Sequence, residues 1–169
     1  MRVEERAVER LKEKFPGAVL EVREFQGEIT IVVPKEKIVE ICQFLRTDPE
    51  LKFNFLSDLT SLDFYQIKTP RFEVNYHLLS HAHRCRLRLK IMVGEGEKVP
   101  SITGVWSTAN WHEREVYDLM GIEFENHPDL RRLLTPDGWV GYPLRKDYPL
   151  TYEEPQFSHT KGRPPQLAD

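Results

Sequence analysis

Four residues with metal-binding side chains lie close together near the middle of the 169-residue chain: His77, His81, His83 and Cys85. The last three alternate, so on a β-strand their side chains would share one face, and imidazole with thiolate is a donor set that suits zinc. Structural zinc sites usually take a second pair of ligands from another loop, and the sequence offers no such pair. The pattern therefore favours a histidine-rich hairpin turn, with a metal site as the alternative.

Other catalytic arrangements are incomplete in this sequence. His112 and Glu113 resemble the start of the zinc-protease helix motif, but that chemistry needs a second histidine four residues after the first, and residue 116 is Val. No serine lies in a glycine-flanked turn, and no glycine-rich loop leads from a strand into a helix. No CxxC spacing is present to hold an iron–sulfur cluster. We therefore expect no catalytic, cofactor-binding or metal-binding residue in this chain.

Basic and apolar residues alternate from residue 84 to residue 91, which predicts a strand with one charged face and one core face. Pairing with an acid such as Glu73 on a neighbouring strand is the favoured explanation of the charged face. The alternative is an open basic face that binds an acidic partner or RNA. An RNA platform would carry stacking aromatic rings on the same face, and this strand has none. The net charge of −3 also argues against nucleic-acid binding.

The elements that would position a site begin with a short charged helix over residues 105–121. Asn110 has an N-cap side chain and Glu113 lies three residues later, in capping-box spacing, while Gly121 is typical of a helix end. Apolar residues at 116, 119 and 120 predict a packed side. Charged residues and Trp111 predict an opposite exposed side, where Arg114 and Asp118 are spaced to pair.

A C-terminal arm follows, which we define as residues 122–169. It holds seven of the twelve prolines of the chain, so neither a long helix nor an interior strand fits it. It is also rich in large apolar residues, which disordered tails normally lack. These apolar residues are Phe124, Leu130, Leu133, Leu134, Trp139, Tyr142, Leu144, Tyr148, Tyr152 and Phe157. The arm could wrap around its own domain, but a partner chain accounts better for its length.

Residues 1–104 predict an α+β sandwich domain. Apolar residues recur every four positions in an amphipathic helix that ends at Pro16, and a hairpin with a turn at Gln26-Gly27 follows. Pro34 opens a second helix that directs Cys42 into the core, and three strands complete the domain. The expected fold class is α+β, with two helices on one face of a mainly antiparallel or mixed sheet. A short third helix (105–121) and an extended irregular arm (122–169) come after it.

The composition, with 40% apolar and 30% charged residues, is that of an ordinary soluble protein. The first residues form no secretory signal, and no apolar run approaches the ~20 residues that span a bilayer. The two cysteines are far apart in sequence and match no disulfide framework, which fits a reducing compartment. Any membrane contact is therefore expected to come through partner proteins.

The most specific feature is a set of short motifs in the last third of the chain. They are Glu113-Arg114-Glu115, Asp118, Gly121, His127-Pro128-Asp129-Leu130-Arg131-Arg132 and Gly141-Tyr142-Pro143-Leu144-Arg145-Lys146-Asp147-Tyr148. Together they resemble the signature of the 30-kDa subunit family of respiratory complex I. In bacteria this family supplies the C subunit of NADH-quinone oxidoreductase, and in chloroplast-type complexes it supplies the J subunit.

The resemblance implies a non-catalytic subunit of the peripheral arm of a proton-translocating NADH:quinone oxidoreductase. It places the chain on the cytoplasmic face of the bacterial inner membrane. Its neighbours there would be the 49-kDa-type quinone-site subunit, the terminal iron–sulfur cluster subunit and other peripheral-arm subunits. In that family NADH, FMN, the iron–sulfur clusters and quinone belong to partner subunits, so this chain would hold no cofactor. The alternatives are the equivalent subunit of a membrane-bound hydrogenase or of a ferredoxin- or deazaflavin-linked dehydrogenase and, more distantly, a free-standing RNA- or metal-binding module.

We interpret the charged and aromatic residues of the signature region as a partner interface, because arginine–carboxylate pairs between apolar anchors fix the register of a bound chain. The predicted interface residues are Trp111, Glu113, Arg114, Asp118, His127, Asp129, Arg131, Arg132, Trp139, Tyr142, Arg145, Lys146, Asp147 and Tyr148.

Overall fold

The computed structural model of the chain describes residues 2–150. Its elements, in chain order, are α1 (Val3–Lys14), β1 (Glu21–Phe25), β2 (Glu28–Val32), a 3-10 turn (Lys35–Lys37), α2 (Ile38–Thr47), β3 (Phe55–Asp63), β4 (Phe72–Ser80), β5 (Cys85–Val93), β6 (Lys98–Pro100), α3 (Ala109–Met120) and β7 (Glu123–Glu125). Within these residues, none of the helices has the length and apolarity needed to cross a bilayer.

Local sequence explains most of these bounds. The first helix ends just before Pro16-Gly17, as its pattern predicts. The hairpin between β1 and β2 turns at Gln26 and Gly27, whose φ values of 50° and 82° are both positive, as a type I′ hairpin turn requires. The predicted start of the second helix is also confirmed, since Pro34 precedes the 3-10 turn that leads into α2.

Five strands form one mixed sheet in the order β1-β2-β5-β4-β3. The β2–β5 pair is parallel, and the other neighbours are antiparallel. Strands β6 and β7 form a separate parallel pair. The predicted α+β class with a mixed sheet is therefore confirmed.

The core lies against one face of the sheet, where Val74, Tyr76 and Leu78 of β4 are fully buried beside their β5 partners. Both early helices contribute to the same core, and their ends meet where the Phe15 and Phe44 rings lie 5.8 Å apart. Cys42 on α2 is fully buried, as predicted, and burial raises the pKa of its thiol.

Two short elements near the predicted arm are not signalled by any sequence pattern. Strand β7 pairs with β6, and both Ile122 and Phe124 are buried in the main core. The first residues of the C-terminal arm therefore pack with the globular domain. Three-residue strands are too short to show a period in sequence, which explains why alternation does not predict them.

Candidate functional site

Glu113, predicted to belong to a capping box, has a different role in the structure. Thr108 occupies the N-cap position of α3 without a side-chain cap, so the capping-box prediction is wrong. The fully buried Glu113 carboxylate instead accepts hydrogen bonds from the Ser101 hydroxyl at 2.7 Å and the Ile102 N–H at 2.8 Å. Burial raises the pKa of Glu113 to about 7, against the opposing effect of these two hydrogen bonds. Glu113 thereby joins α3 to the β6 strand and its following loop.

His127 closes the other side of this buried carboxylate. Its Nε2 lies 3.9 Å from a Glu113 oxygen and 3.2 Å from the Asn110 carbonyl oxygen, to which it can donate. Its Nδ1 accepts the backbone N–H of Asp129 at 3.0 Å. The ring thus contacts α3 through Nε2 and the arm through Nδ1. The imidazole therefore anchors the start of the arm to the first turn of α3.

Asp118 is the main attachment point of the arm. Sequence periodicity places it on the exposed side of α3, and that prediction is wrong, because its side chain is fully buried. The carboxylate accepts the consecutive backbone N–H groups of Leu133, Leu134 and Thr135 at 2.9, 2.6 and 2.8 Å. It also accepts the Thr135 hydroxyl and pairs with Arg132 at 3.0 Å.

The pKa of Asp118 is set by burial and by the hydrogen-bond donors around its carboxylate. Burial by itself would raise its pKa. The hydrogen bonds from Thr135, Leu134 and Leu133 outweigh burial and lower the pKa of Asp118 to about 2. Asp118 is therefore ionised at any ordinary pH, and its oxygens are occupied by the arm.

Arg114 also holds the arm. The predicted Arg114–Asp118 pair is not formed, because Asp118 faces inward and Arg114 reaches outward over the arm. Its guanidinium donates to the carbonyl oxygens of Arg131 and Arg132 at 3.0 and 3.2 Å, and it stacks on Trp111 at 5.1 Å from the ring centroid. Trp111 itself remains 59% exposed.

The next part of the arm returns to the C-terminal end of α3. Arg145 donates to the Met120 carbonyl oxygen at 2.7 Å and lies 4.6 Å from the Tyr142 ring centroid. These contacts match a cation to the negative end of the helix dipole. The Leu144 N–H donates to the Leu119 carbonyl oxygen at 3.0 Å, which adds a backbone bond to the same helix end.

A buried arginine fixes the arm to the sheet. Arg71, which directly precedes β4, pairs with Asp63 and with Asp147, both at 2.8 Å, and with Glu95 at 3.0 Å. The Lys146 N–H donates to Asp63 at 2.8 Å. Sequence analysis missed Arg71, although the antiparallel register that places Asp63 opposite Phe72 would have brought the two charges together.

The charged groups of the arm thus find partners inside the chain. Arg132 pairs with Asp118, Arg145 with Glu95 and Asp147 with Arg71, while Asp129 and Arg131 pair locally at the surface. Among the described residues these donors and acceptors already meet within one chain, and the role of these residues in a partner interface stays a prediction. Lys146 is exposed, and Trp139, Tyr142 and Tyr148 are partly buried. Their role as partner contacts stays a prediction.

Several large apolar side chains of α3 and the arm remain exposed. We define the docking surface as Trp111, Leu134, Val140, Leu144 and Leu150, which are between 48% and 102% exposed. The anchors predicted at Tyr152 and Phe157 lie outside the described residues.

Two residues of the basic stripe, Arg88 and Lys90, are paired as predicted. Lys90 lies 2.7 Å from Glu73, and Arg88 lies 2.7 Å from Glu28. The nearby histidines do not converge: His81 meets the Asn54 side chain, and His77 borders a groove of about 260 Å³ on the open sheet face. Among residues 2–150, no three His, Cys, Asp or Glu side chains are grouped as metal ligands.

The α+β fold, together with an arm that α3 and the sheet hold in place (the clamped arm), is that of a known family of proteins. Residues 31–154 match the family model of the 30-kDa subunit of respiratory-chain NADH dehydrogenase, and the chain belongs to this family. It is 54% identical over 159 residues to the NADH-quinone oxidoreductase C subunit of Geotalea uraniireducens, covering 94% of each chain. The corresponding protein of Roseiflexus sp. is 49% identical over 157 residues, covering 92% of this chain and 90% of the relative.

A solved structure has the same fold. The trypsin-resistant fragment of Nqo5 superposes with a TM-score of 0.62 and 33% identity, covering 73% of this chain and 99% of the fragment. The resemblance read from the signature motifs is therefore confirmed, and the chain is a subunit of complex I.

Proposed function

We propose that this chain is a non-catalytic structural subunit of the peripheral arm of complex I, and that it braces the subunit that forms the quinone site. The observation that carries the proposal is the combination of a clamped arm with an exposed apolar docking surface. The arm is held by buried carboxylates, while Trp111 and Leu144 stay more than half exposed. Exposed aromatic and aliphatic groups on an ordered backbone are typical of a protein interface.

In this proposal two acids of α3, Glu113 and Asp118, have structural roles. Glu113 and Asp118 are both fully buried and hydrogen-bonded within the chain, so substrate has no direct access to either carboxylate. Asp118 orders the arm before a partner arrives, and Glu113 joins α3 to the residues that follow β6. Preordering lowers the entropic cost of binding, because the arm does not have to be immobilised at the interface.

Bracing can affect turnover without chemistry in this chain. Quinone reduction depends on the placement of reacting groups in a neighbouring subunit, and small displacements slow such reactions steeply. The proposed neighbours are the 49-kDa-type quinone-site subunit and the terminal iron–sulfur cluster subunit, with NADH, FMN, clusters and quinone bound by partners. The proposed location is the cytoplasmic face of the bacterial inner membrane, with membrane contact only through the complex.

The test replaces one exposed anchor in the full chain and measures assembly. We expect Trp111→Ala to reduce the amount of tagged chain that co-purifies with the other subunits by at least tenfold, since an interface tryptophan typically contributes about 2 kcal/mol or more. The thermal midpoint of the isolated chain should barely change, because Trp111 is 59% exposed. Phe25→Ala is the matched control, since Phe25 is 72% exposed on β1 at the other end of the sheet.

Two results would contradict the proposal. One is normal assembly of Trp111→Ala with abolished NADH:quinone activity, which would point to a direct chemical role. The other is co-purification with hydrogenase or ferredoxin-linked subunits in place of flavin- and NADH-binding ones, which would assign the brace to a different complex.

A further inference from the structure

A small apolar groove lies between α3 and the outer edge of the sheet. We call it the anchor pocket and define it by Leu59, Ser61, Val116, Leu119, Met120 and Leu144. Its volume is about 160 Å³, which suits one aliphatic side chain. Leu144, which belongs to the arm, forms one wall and is 54% exposed. The pocket therefore exists in this form only while the arm is clamped.

The floor of the anchor pocket is the free edge of β3, the last strand of the sheet. Phe64 donates its N–H to the Arg71 carbonyl oxygen, so alternate residues before it direct their backbone groups toward β4. By this alternation the N–H and C=O of Ser61 point away from β4, toward the outer edge. An unpaired strand edge is a ready partner for an extended chain.

The rim of the anchor pocket carries a negative charge. Glu115 is exposed beside the apolar walls. In the part of the chain that the structure describes, no lysine or arginine lies within ion-pair distance of this carboxylate. Most of the acids around the arm, Asp118, Asp129 and Asp147 among them, are paired. Glu115 is therefore available to a cation from outside the chain.

We propose that the anchor pocket receives one aliphatic side chain from an extended segment of another subunit, next to a lysine or arginine that pairs with Glu115. The apolar walls of the anchor pocket contact the aliphatic side chain, and Glu115 at the rim pairs with the basic residue beside it. The Ser61 backbone accepts or donates one main-chain hydrogen bond. This inference rests on the proposed function, because the segment comes from a partner protein of the complex.

Charge favours a partner over the residues that directly follow Leu150, whereas Lys161, Arg163 and Leu167 near the end of the chain combine bases with an aliphatic side chain and are a separate outcome of the crosslinking test. The residues that follow Leu150 in sequence are Thr151, Tyr152, Glu153 and Glu154. The first large side chain after Leu150, that of Tyr152, is therefore followed directly by two acids. Those acids would repel Glu115, whereas a basic neighbour would attract it. A second copy of the chain is a further possible occupant, and crosslinking from the pocket wall separates all three.

The first experiment places a photo-crosslinking amino acid at position 144 in the tagged full chain and irradiates the assembled complex. We expect an adduct with another subunit, in a segment where an aliphatic residue adjoins a lysine or arginine. An adduct with residues 151–169 of the same chain, with a second copy, or with a segment lacking a basic residue would overturn the proposal. Assembly without any adduct would overturn it as well.

The second experiment tests the charge at the rim. Glu115→Lys should reduce co-purification of the other subunits at least tenfold, and Glu115→Gln should reduce it less. Reversing the charge of the crosslinked basic residue should restore assembly of Glu115→Lys. Glu13→Lys on the exposed side of α1 is the matched control and should assemble normally.

The two proposals fail in different ways. If Glu115→Lys assembles like the control while Trp111→Ala does not, the anchor pocket is wrong and the bracing function stands. If the unmodified chain recruits no complex I subunits, the bracing function itself fails and the anchor pocket fails with it.

Discussion

Two carboxylates on the same helix show how the surroundings of a group set its charge. Glu113 and Asp118 are both fully buried on α3. Glu113 has two hydrogen-bond donors and a pKa raised by burial to about 7, whereas Asp118 has a cluster of donors and a pKa of about 2. The balance between burial and hydrogen-bond donors decides the direction of each shift: burial prevails at Glu113, and the donors prevail at Asp118.

A first prediction concerns the pH dependence that Glu113 creates. Its folded pKa is raised from 4.5 to about 7, so between these values the native state holds a proton that the unfolded chain has released. The stabilising contribution is thus complete below about pH 4.5 and is lost as pH rises through 7. We expect Glu113→Gln to remove this slope, so that the variant gains stability relative to the unmodified chain between pH 5 and pH 8. Denaturant unfolding at several pH values measures the slope, and an unchanged slope would show that Glu113 is ionised throughout.

A second prediction concerns the attachment made by Asp118. Asp118→Ala leaves three consecutive backbone N–H groups and Arg132 without their acceptor, which costs about 3 kcal/mol or more if the arm stays in place. We expect the arm to detach locally instead, with at least a hundredfold faster amide hydrogen exchange at Leu133 to Thr135. Asp137→Ala, at an exposed site of the same arm, is the control and should leave these amides protected. Equal exchange in both variants would mean that the clamp depends on other contacts.

At the scale of elements, the sequence predicts the helices and strands whose apolar residues recur at a regular spacing and whose ends are marked by Pro or Gly. Helix α1, the first hairpin and the core side of α2 follow from apolar spacing and from Pro and Gly positions. The end of α3 at Gly121 is also confirmed, since this residue is left-handed with φ of 70°. The parallel pairing of β2 with β5 was not predictable, because it joins strands more than fifty residues apart and leaves no local trace.

The sequence predicted which segments of the chain form the candidate site, but it did not predict which residues contact each other there. The motifs that carry the family resemblance contain residues that hold the arm in the structure, such as Arg132 and Arg145, whereas the sequence predicted a partner interface for them. Helical periodicity misplaced Asp118, because it treats a charged residue as exposed and cannot anticipate a returning chain that supplies donors. Arg71 was missed for the same reason, since its partners Asp63, Glu95 and Asp147 lie eight, twenty-four and seventy-six residues away.

A third prediction tests the junction between α3 and the arm. A methyl group at Gly121 would lie 2.5 Å from the Tyr142 ring, and the backbone there has a positive φ that side chains disfavour. We expect Gly121→Ala to lower the free energy of unfolding by about 1–3 kcal/mol, from backbone strain and the displaced ring. Gly104→Ala is the matched control, because nothing lies within 4 Å of its added methyl group, and it should change stability by less than about 0.5 kcal/mol. A similar loss in both variants would show that the Tyr142 contact is unimportant.

At the scale of the whole molecule, ion pairs around the buried Arg71 and the neighbouring Arg145 join segments that are distant in sequence. Arg71 links the β3–β4 hairpin, the turn at Glu95 and the arm at Asp147, and Arg145 ties the same turn to the end of α3. Because these contacts order the arm, they determine what fraction of free chains presents a formed docking surface. A chain whose arm is loose binds more weakly in proportion to that fraction.

The last prediction follows from this coupling. Arg145→Ala removes the hydrogen bond to the Met120 carbonyl oxygen, the pair with Glu95 and the contact with the Tyr142 ring. We expect it to lower the amount of assembled complex several-fold while the NADH:quinone turnover of each assembled complex stays near normal, since assembly selects the chains whose arm has formed. Native gels quantify assembly, and activity normalised to a flavin or iron–sulfur signal gives turnover. Arg23→Ala on β1 removes only a surface pair with Glu21 and should change neither quantity. Full assembly of Arg145→Ala with lost turnover would instead assign this arginine a direct part in quinone chemistry.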